Sequence, residues 1–363
     1  MKKTKRRRKP FLFIILMIVA LSLLFGGCGG GAVQPPVAAI NFADPILEAA
    51  VRNAAGYTGQ PTGPIYPADV LGITVLNLNG PNGQVDRYGK DDRNSGSRGE
   101  GLEHLILLKN EERHRWFGEW EADNEPLSRG AGGLVSLEGI QHLTNLEYLY
   151  FSNNKVSNIT PLQHLTKLQL LIFDNNLVSN ITPLQNLVNL QYLSINYNQV
   201  SDLTPLQNLT NLHFLWLYHN QVSNITSLRN LTNLLHLVFF SNQVSNITTL
   251  QHLTNLRLLS FGYNQVSDLL PLQTLTNLQE LYFGNNQVSN IVPLQNLTNL
   301  KWLYFEHNQV SDITPLVNNA GIGDGDTVDM RYNYLDLNPW SIDFFNIQFL
   351  KSRGCTVFYN PQN

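Results

Sequence analysis

An α/β solenoid, with a curved parallel sheet on its concave face and extended or 3₁₀ returns on its convex side, follows from three observations on this 363-residue chain. An asparagine recurs at a constant spacing of 22, as Asn154, Asn176, Asn198, Asn220, Asn242, Asn264, Asn286 and Asn308. The same apolar frame surrounds every copy, in the first Leu146, Leu149, Phe151, Val156, Ile159, Leu162 and Leu165. The periodicity also changes within each copy. Leu149-x-Phe151 alternates like a strand with one buried face, whereas Asn158-Ile159-Thr160-Pro161-Leu162 places an apolar residue at every third position. One such short unit cannot bury its face alone, so a fixed short period implies stacking into a shared core.

The frame L-x-x-L-x-(F/L/I)-x-x-N-x-V resembles that of the leucine-rich repeat, in eight copies without an insertion or deletion. The expected fold is a leucine-rich-repeat solenoid with N- and C-terminal caps. The Asn turns the chain inward, where its amide can serve backbone groups that the turn leaves unpaired. The Asn column is therefore expected to be structural.

Taken in order, the chain opens with Lys2, Lys3, Lys5, Arg6, Arg7, Arg8 and Lys9, then an uncharged apolar run from Phe11 to Phe25, then Gly26-Gly27-Cys28. This order is that of a secretory signal, and the run is short for a membrane span. The cysteine after Gly27 makes residues 1–27 resemble a bacterial lipoprotein signal, with Phe25 where Leu is usual. That resemblance implies a lipid on Cys28, which becomes the mature N-terminus. The alternative is an ordinary signal peptide with an incidental Cys. Residues 28–40 contain Gly and Pro-Pro without an apolar period and form a tether. The mature chain would keep 17 Lys and Arg against 27 Asp and Glu, a net charge of −10. Such a chain is a poor partner for nucleic acid or an anionic surface. The second cysteine, Cys355, is expected in the core, with no disulfide framework.

Residues 41–79 are expected to form an N-terminal cap and first strand. Asp44 is the N-cap and Pro45 the first residue of a helix, Gly56 stops it, and Leu47, Val51 and Ala54 form its inward stripe. Thr74 to Asn79 is a strand of L-x-L type. A helix before the first strand closes the end of the core. The arrangement resembles the cap of internalin-like bacterial surface proteins.

Residues 80–133 break the pattern with Gly-rich, charged sequence. Leu102, Leu105, Leu107 and Asn110 fit the frame, which predicts one degenerate strand near 104–108. An excursion over roughly 111–133 then carries Trp116, Phe117 and Trp120. The repeats proper cover 134–317, and 318–363 is the C-terminal cap. There Val328-x-Met330-x-x-Asn333 gives one further strand and turn. Ser341 to Arg353 gives a helix with Phe344, Phe345, Ile347 and Leu350 inward, stopped by Gly354, and Cys355 to Tyr359 a closing strand.

No catalytic motif stands out, and neither a cofactor nor a resident metal is expected. Gly321-x-Gly323-x-Gly325 precedes a strand, which favours a turn over a phosphate loop. Asp324, Asp326 and Asp329 lack EF-hand order. His104, His114, Glu111, Glu112 and Glu119 suit a solvated loop better than a hydrolytic cluster. The N-x-T triplets, such as Asn158-Ile159-Thr160 and Asn208-Leu209-Thr210, arise from the frame itself.

The informative surface is the other face of the strands. If Leu149 and Phe151 point in, Tyr148, Tyr150 and Ser152 point out. The first column then reads Tyr148, Leu170, Tyr192, Phe214, His236, Leu258, Glu280, Trp302. The second reads Tyr150, Ile172, Ser194, Trp216, Val238, Ser260, Tyr282, Tyr304, and the third includes Asp174, Asn196, Tyr218, Phe240 and Glu306. Phe214, Trp216, Tyr218, His236, Val238 and Phe240 are expected to form one solvent-facing central block, of the kind that marks interaction sites. The candidate partner-binding residues are Tyr148, Tyr150, Tyr192, Phe214, Trp216, Tyr218, His236, Phe240, Tyr282, Trp302 and Tyr304. The expectation is a lipid-anchored, extracytoplasmic recognition or adhesion protein that binds a protein partner through this face. The alternatives are a glycan or cell-wall polysaccharide module, or an enzyme using residues 80–133. The oligomeric state does not follow from the sequence.

Overall fold

The computed structural model describes residues 37–57, 63–79 and 133–363. The predicted signal, Cys28, and the strand expected near 104–108 lie outside these residues. Among the described residues, the unit beginning at Ala39 forms one sheet of eleven parallel strands in sequence order, β1 to β11, each of three residues. β1 is Val75–Asn77, β2 Tyr148–Tyr150, β5 Phe214–Trp216, β9 Trp302–Tyr304, β10 Thr327–Asp329 and β11 Thr356–Phe358. Between β2 and β9 the register is Leu on Leu throughout, from Leu149↔Leu171 to Leu281↔Leu303. The convex returns are 3₁₀ turns, as the three-residue period requires, for example Thr160–Leu162. Inside, the Phe of successive repeats stack, with Phe239, Phe261, Phe283 and Phe305 at centroid distances of 5.5 to 5.8 Å.

The Asn column is a ladder with four rails. Asn176 Nδ2 donates to the carbonyls of Phe151, Phe173 and Asp174, and its Oδ1 accepts from Val156 N–H. The same set repeats at Asn198 through Asn308 and continues at Asn333 in the cap. The residue before each ladder Asn turns the chain in left-handed backbone, φ +50° to +60°, at nine non-glycine positions from Asn153 to Tyr332. A second, outer ladder joins Asn189, Asn211, Asn233, Asn255, Asn277 and Asn299 to carbonyls of the preceding repeat. Asn158 accepts from Thr160 N–H, which gives that N-x-T triplet a structural role.

At the N-terminal end, α1 (Pro45–Ala54) starts at Asp44, whose Oδ1 accepts from Ile46 N–H and whose Oδ2 accepts from Val135 N–H. Leu47 and Val51 are fully buried, but Ala54 is exposed and drops out of the expected stripe. β1 pairs directly with β2, Leu76 against Leu149, so no strand lies between them. Seventy-three residues separate that pair where 22 separate each pair between β2 and β9, a difference of 51 residues of sequence. Leu134 resumes the period, its N–H donating to Asn154 Oδ1 as Val156 donates to Asn176. The extra sequence therefore falls between Asn79 and Leu134.

At the other end, α2 (Thr314–Asn318) and α3 (Ile342–Ser352) replace 3₁₀ turns on the convex side. α3 buries Ile347 and Leu350, but Phe345 is 53% exposed and Phe344 half-buried. Expecting both Phe inward overestimated the width of the helix's buried arc. Gly321 approaches the Thr298 carbonyl so closely that any Cβ would collide with it, and Gly325 has φ +80°; the triplet is a turn. Cys355 is buried, and burial pushes its thiol up to about 11.

Candidate functional site

The strand register places the concave columns as the alternation requires. Tyr148, Leu170, Tyr192, Phe214, His236, Leu258, Glu280 and Trp302 are successive partners, and so are the residues from Tyr150 to Tyr304. Strands about 4.8 Å apart spread these eight over roughly 34 Å.

The expected solvent-facing block is corrected in two ways. Tyr192, Phe214, Phe240, Tyr282 and Tyr304 are buried, as are Val238, Leu258, Leu170 and Ile172. Tyr148, Tyr150, Trp216, Tyr218, His236 and Trp302 are half-buried. Rings this large meet across a spacing of one strand, so they stack along the columns instead of standing free. Tyr192 stacks on Phe214 at 5.5 Å, Tyr218 on Phe240 at 4.6 Å and Tyr282 on Tyr304 at 5.2 Å. Nor is there one central block. One packed bed joins Leu170, Ile172, Tyr192 and Phe214, with Tyr148 and Tyr150 against it. The other joins Val238, Phe240, Leu258, Tyr282 and Tyr304, with Trp216, Tyr218 and Trp302 against it. Trp216 also lies 5.7 Å from Tyr192, and Phe214 edges onto His236 at 4.8 Å.

Polar groups flank each bed. Beside the first, Asp174 Oδ1 accepts from Ser194 Oγ at 2.7 Å and from Asn196 N–H at 2.8 Å, and Asn196 Nδ2 donates to Ser194 Oγ. Asp174 is half-buried, yet burial outweighs these bonds and pushes its carboxyl up to about 6. Beside the second, Tyr282 Oη donates to Glu280 Oε2, and Asp329 accepts a forked pair from Arg331. Burial, then the charges of Asp329 and Glu306, pushes Tyr304 up to about 12. Gly262 and Gly284 precede Glu306 in the third column, and a Cβ on Gly284 would strike the Glu306 carboxylate.

A fourth column escaped the sequence reading. The left-handed residues Tyr197, His219, Tyr263, His307 and Tyr332 line up along the strand ends. His219 stacks on Tyr197 at 4.3 Å, and Tyr332 on His307 at 4.1 Å. The only signal was position, one residue before each ladder Asn, because no residue type is shared there.

Cys28, Trp116, Phe117 and Trp120, and the His and Glu residues near 104–119, lie outside the described residues. Among the described residues, no group of three or more His, Cys, Asp and Glu could hold a metal ion, and no helix is long and apolar enough to cross a membrane.

The family model for leucine-rich repeats in two copies matches residues 144–186, 188–230 and 276–318. Among solved structures, an internalin (inlF) from Listeria monocytogenes is similar at 23% identity and a TM-score of 0.61, over 90% of this chain and 95% of that one. A leucine-rich-repeat protein of Leptospira interrogans is similar at 21% identity and a TM-score of 0.57, over 63% of this chain and 58% of that one. An internalin C2 from Listeria monocytogenes shares 27% identity over 81% of this chain and 93% of its own, with a TM-score of 0.48. No curated protein matches the sequence.

Proposed function

We propose that this chain, a leucine-rich-repeat protein with an internalin-like fold, is a non-catalytic recognition protein that binds a protein partner across its concave face. Leucine-rich-repeat arrays commonly present such a face to protein ligands. The observation that carries the reading is the pair of packed aromatic beds on β2 to β9. Aromatic residues have an intrinsic liking for strands, which would scatter rings over both ends of the array. Here they lie side by side in register, with Trp216, Tyr218 and Trp302 held half-buried against the second bed. A ring fixed by its neighbours loses little freedom when a partner covers it, and Trp and Tyr are the preferred anchors. The basic, apolar, Gly-Gly-Cys order of the first 28 residues supports lipid attachment at Cys28, and hence an extracytoplasmic, membrane-anchored protein.

The test is capture from native membranes, followed by affinity measurement with the purified partner. Trp216→Ala and Trp302→Ala are each expected to weaken binding at least about tenfold, or roughly 1.4 kcal/mol. Ser194→Ala, in the Trp216 column, should do much less. Since Trp216 packs on Tyr192, its truncation should also lower the melting temperature slightly, and folding is checked first by circular dichroism. Unchanged affinity in both Trp variants, with loss mapping to Trp116 and Trp120, would move the site off the concave face. Quenching of Trp fluorescence by soluble oligosaccharide, with no protein captured, would replace the protein partner with a glycan. Mass spectrometry of the mature chain should find Cys28 lipidated and N-terminal; an unmodified Cys28 with cleavage elsewhere would end the anchor reading.

A further inference from the structure

The last helix described on the convex side has an apolar outer face. α3 buries Asp343, Ile347 and Leu350, and its other side is left uncovered among the described residues. A helix face open to solvent is ordinarily polar. Here Ile342 is 73% exposed, Phe345 53% and Phe349 50%, while Trp340, just ahead of the helix, is 87% exposed. Spacings of three and four residues put Ile342, Phe345 and Phe349 on one stripe of the helix.

We propose that this stripe is the contact between two copies of the chain, packed about a two-fold axis that passes beside Phe345. The stripe is its own complement. An antiparallel copy sets Ile342 of each helix against Phe349 of the other and Phe345 against Phe345, which closes as a symmetric pair. The area is also of the right size. Aromatic side chains of about 150–250 Å² each, at the stated exposures and with Ile342 added, offer roughly 500 Å² of apolar surface. That is at the upper end of what a stable monomer leaves in one patch, about 300–600 Å². With the exposed Asn338, Gln348 and Ser352 at its rim, the face approaches the ~800 Å² that each partner contributes to a standard interface.

Charge does not oppose the pairing. Asp343 is buried and accepts from Asp336 N–H. Lys351 lies over the Tyr359 ring at 5.3 Å, and the Arg353 guanidinium donates to the carbonyls of Val317 and Asn319. A bilayer is the poorer occupant, because the face lacks the rich Lys and Arg content of helices that lie on anionic lipid. Pairing through the convex side would give one particle two concave faces and raise its retention on a multivalent surface.

The experiment uses the purified full chain in detergent, with micelles in large excess so that an anchor cannot hold chains together. Wild type should sediment at twice the chain mass at tens of micromolar. Ile342→Lys and Phe345→Lys should each sediment at the single-chain mass with the wild-type melting temperature. Under mild oxidation most Phe345→Cys chains should run as a disulfide-linked dimer, whereas Gln221→Cys, on an exposed repeat turn, and wild type should not. Monomeric wild type at that concentration overturns the proposal, and so does a dimer that survives in both Lys variants. Equal cross-linking of Gln221→Cys also overturns it. Monomeric protein that binds phosphatidylglycerol vesicles through Ile342 and Phe345 would assign the face to lipid instead.

Discussion

Asn220 shows how much one amide does in each repeat. Its Nδ2 donates to the carbonyls of Ile195, Leu217 and Tyr218, and its Oδ1 accepts from Val200 N–H at 3.0 Å. Asn220→Ala strands those backbone groups and should cost on the order of 1–3 kcal/mol in a urea titration. Gln221→Ala, one residue on and exposed, should stay within about ±0.5 kcal/mol; equal losses would contradict the register. Asp174 makes a pH prediction. Its folded-state pKa is raised by burial from 3.8 to about 6, so the folded chain holds the proton longer than the unfolded one. The associated stability is full below about pH 4 and is lost as pH rises through about 6. Asp174→Asn keeps an acceptor for Ser194 and Asn196 without the charge. It should gain on the order of 1 kcal/mol over wild type at pH 7.5 and little at pH 4. Equal gains at both pH values would place the effect elsewhere. The ladder was legible at this scale because the same residue must fill the same bonds eight times. The left-handed column was not, since what recurs at Tyr197, His219 and Ser241 is a backbone angle that leaves no shared residue type.

Among the 3₁₀ returns, five carry proline at the same place, Pro161, Pro183, Pro205, Pro271 and Pro293, and α2 has Pro315 there. The two adjacent returns Thr226–Asn230 and Thr248–His252 have Ser227 and Thr249 there. Their backbones enter alike: Ile225 has φ −108° and ψ 14°, Ile159 φ −107° and ψ 15°. A proline therefore fits without strain, and it restricts only the unfolded chain. Ser227→Pro and Thr249→Pro should each stabilise by about 0.4–1 kcal/mol, read as melting temperature. A loss in either would mean that the local backbone differs from its neighbours. The strands and returns were readable because each period matches one geometry. The face of α3 was less so. Phe344, Phe345, Ile347 and Leu350 include an adjacent Phe pair that no single helical stripe can bury, and only packing against α2 decides which half turns in.

At the level of the whole array, the sheet was legible from the spacing alone, and the columns from the alternation. Depth was not. Alternation says which side Tyr192 and Phe214 occupy, but not that rings one strand apart close over one another. Apolar spacing also does not report that Leu76 pairs directly with Leu149 across 73 residues of sequence. The ladder also has a direction. Every rung reaches backwards: Asn242 binds the Leu217 carbonyl and the Val222 N–H, both in the repeat before it, and Asn255 of the outer ladder holds the Thr232 carbonyl. In both Asn ladders each turn is thus sealed by the one that follows. A chain delivered N-terminus first can lock its coils one at a time as they emerge, like teeth of a zipper drawn in a single sense. Cut at any coil, it would leave just the newest one open.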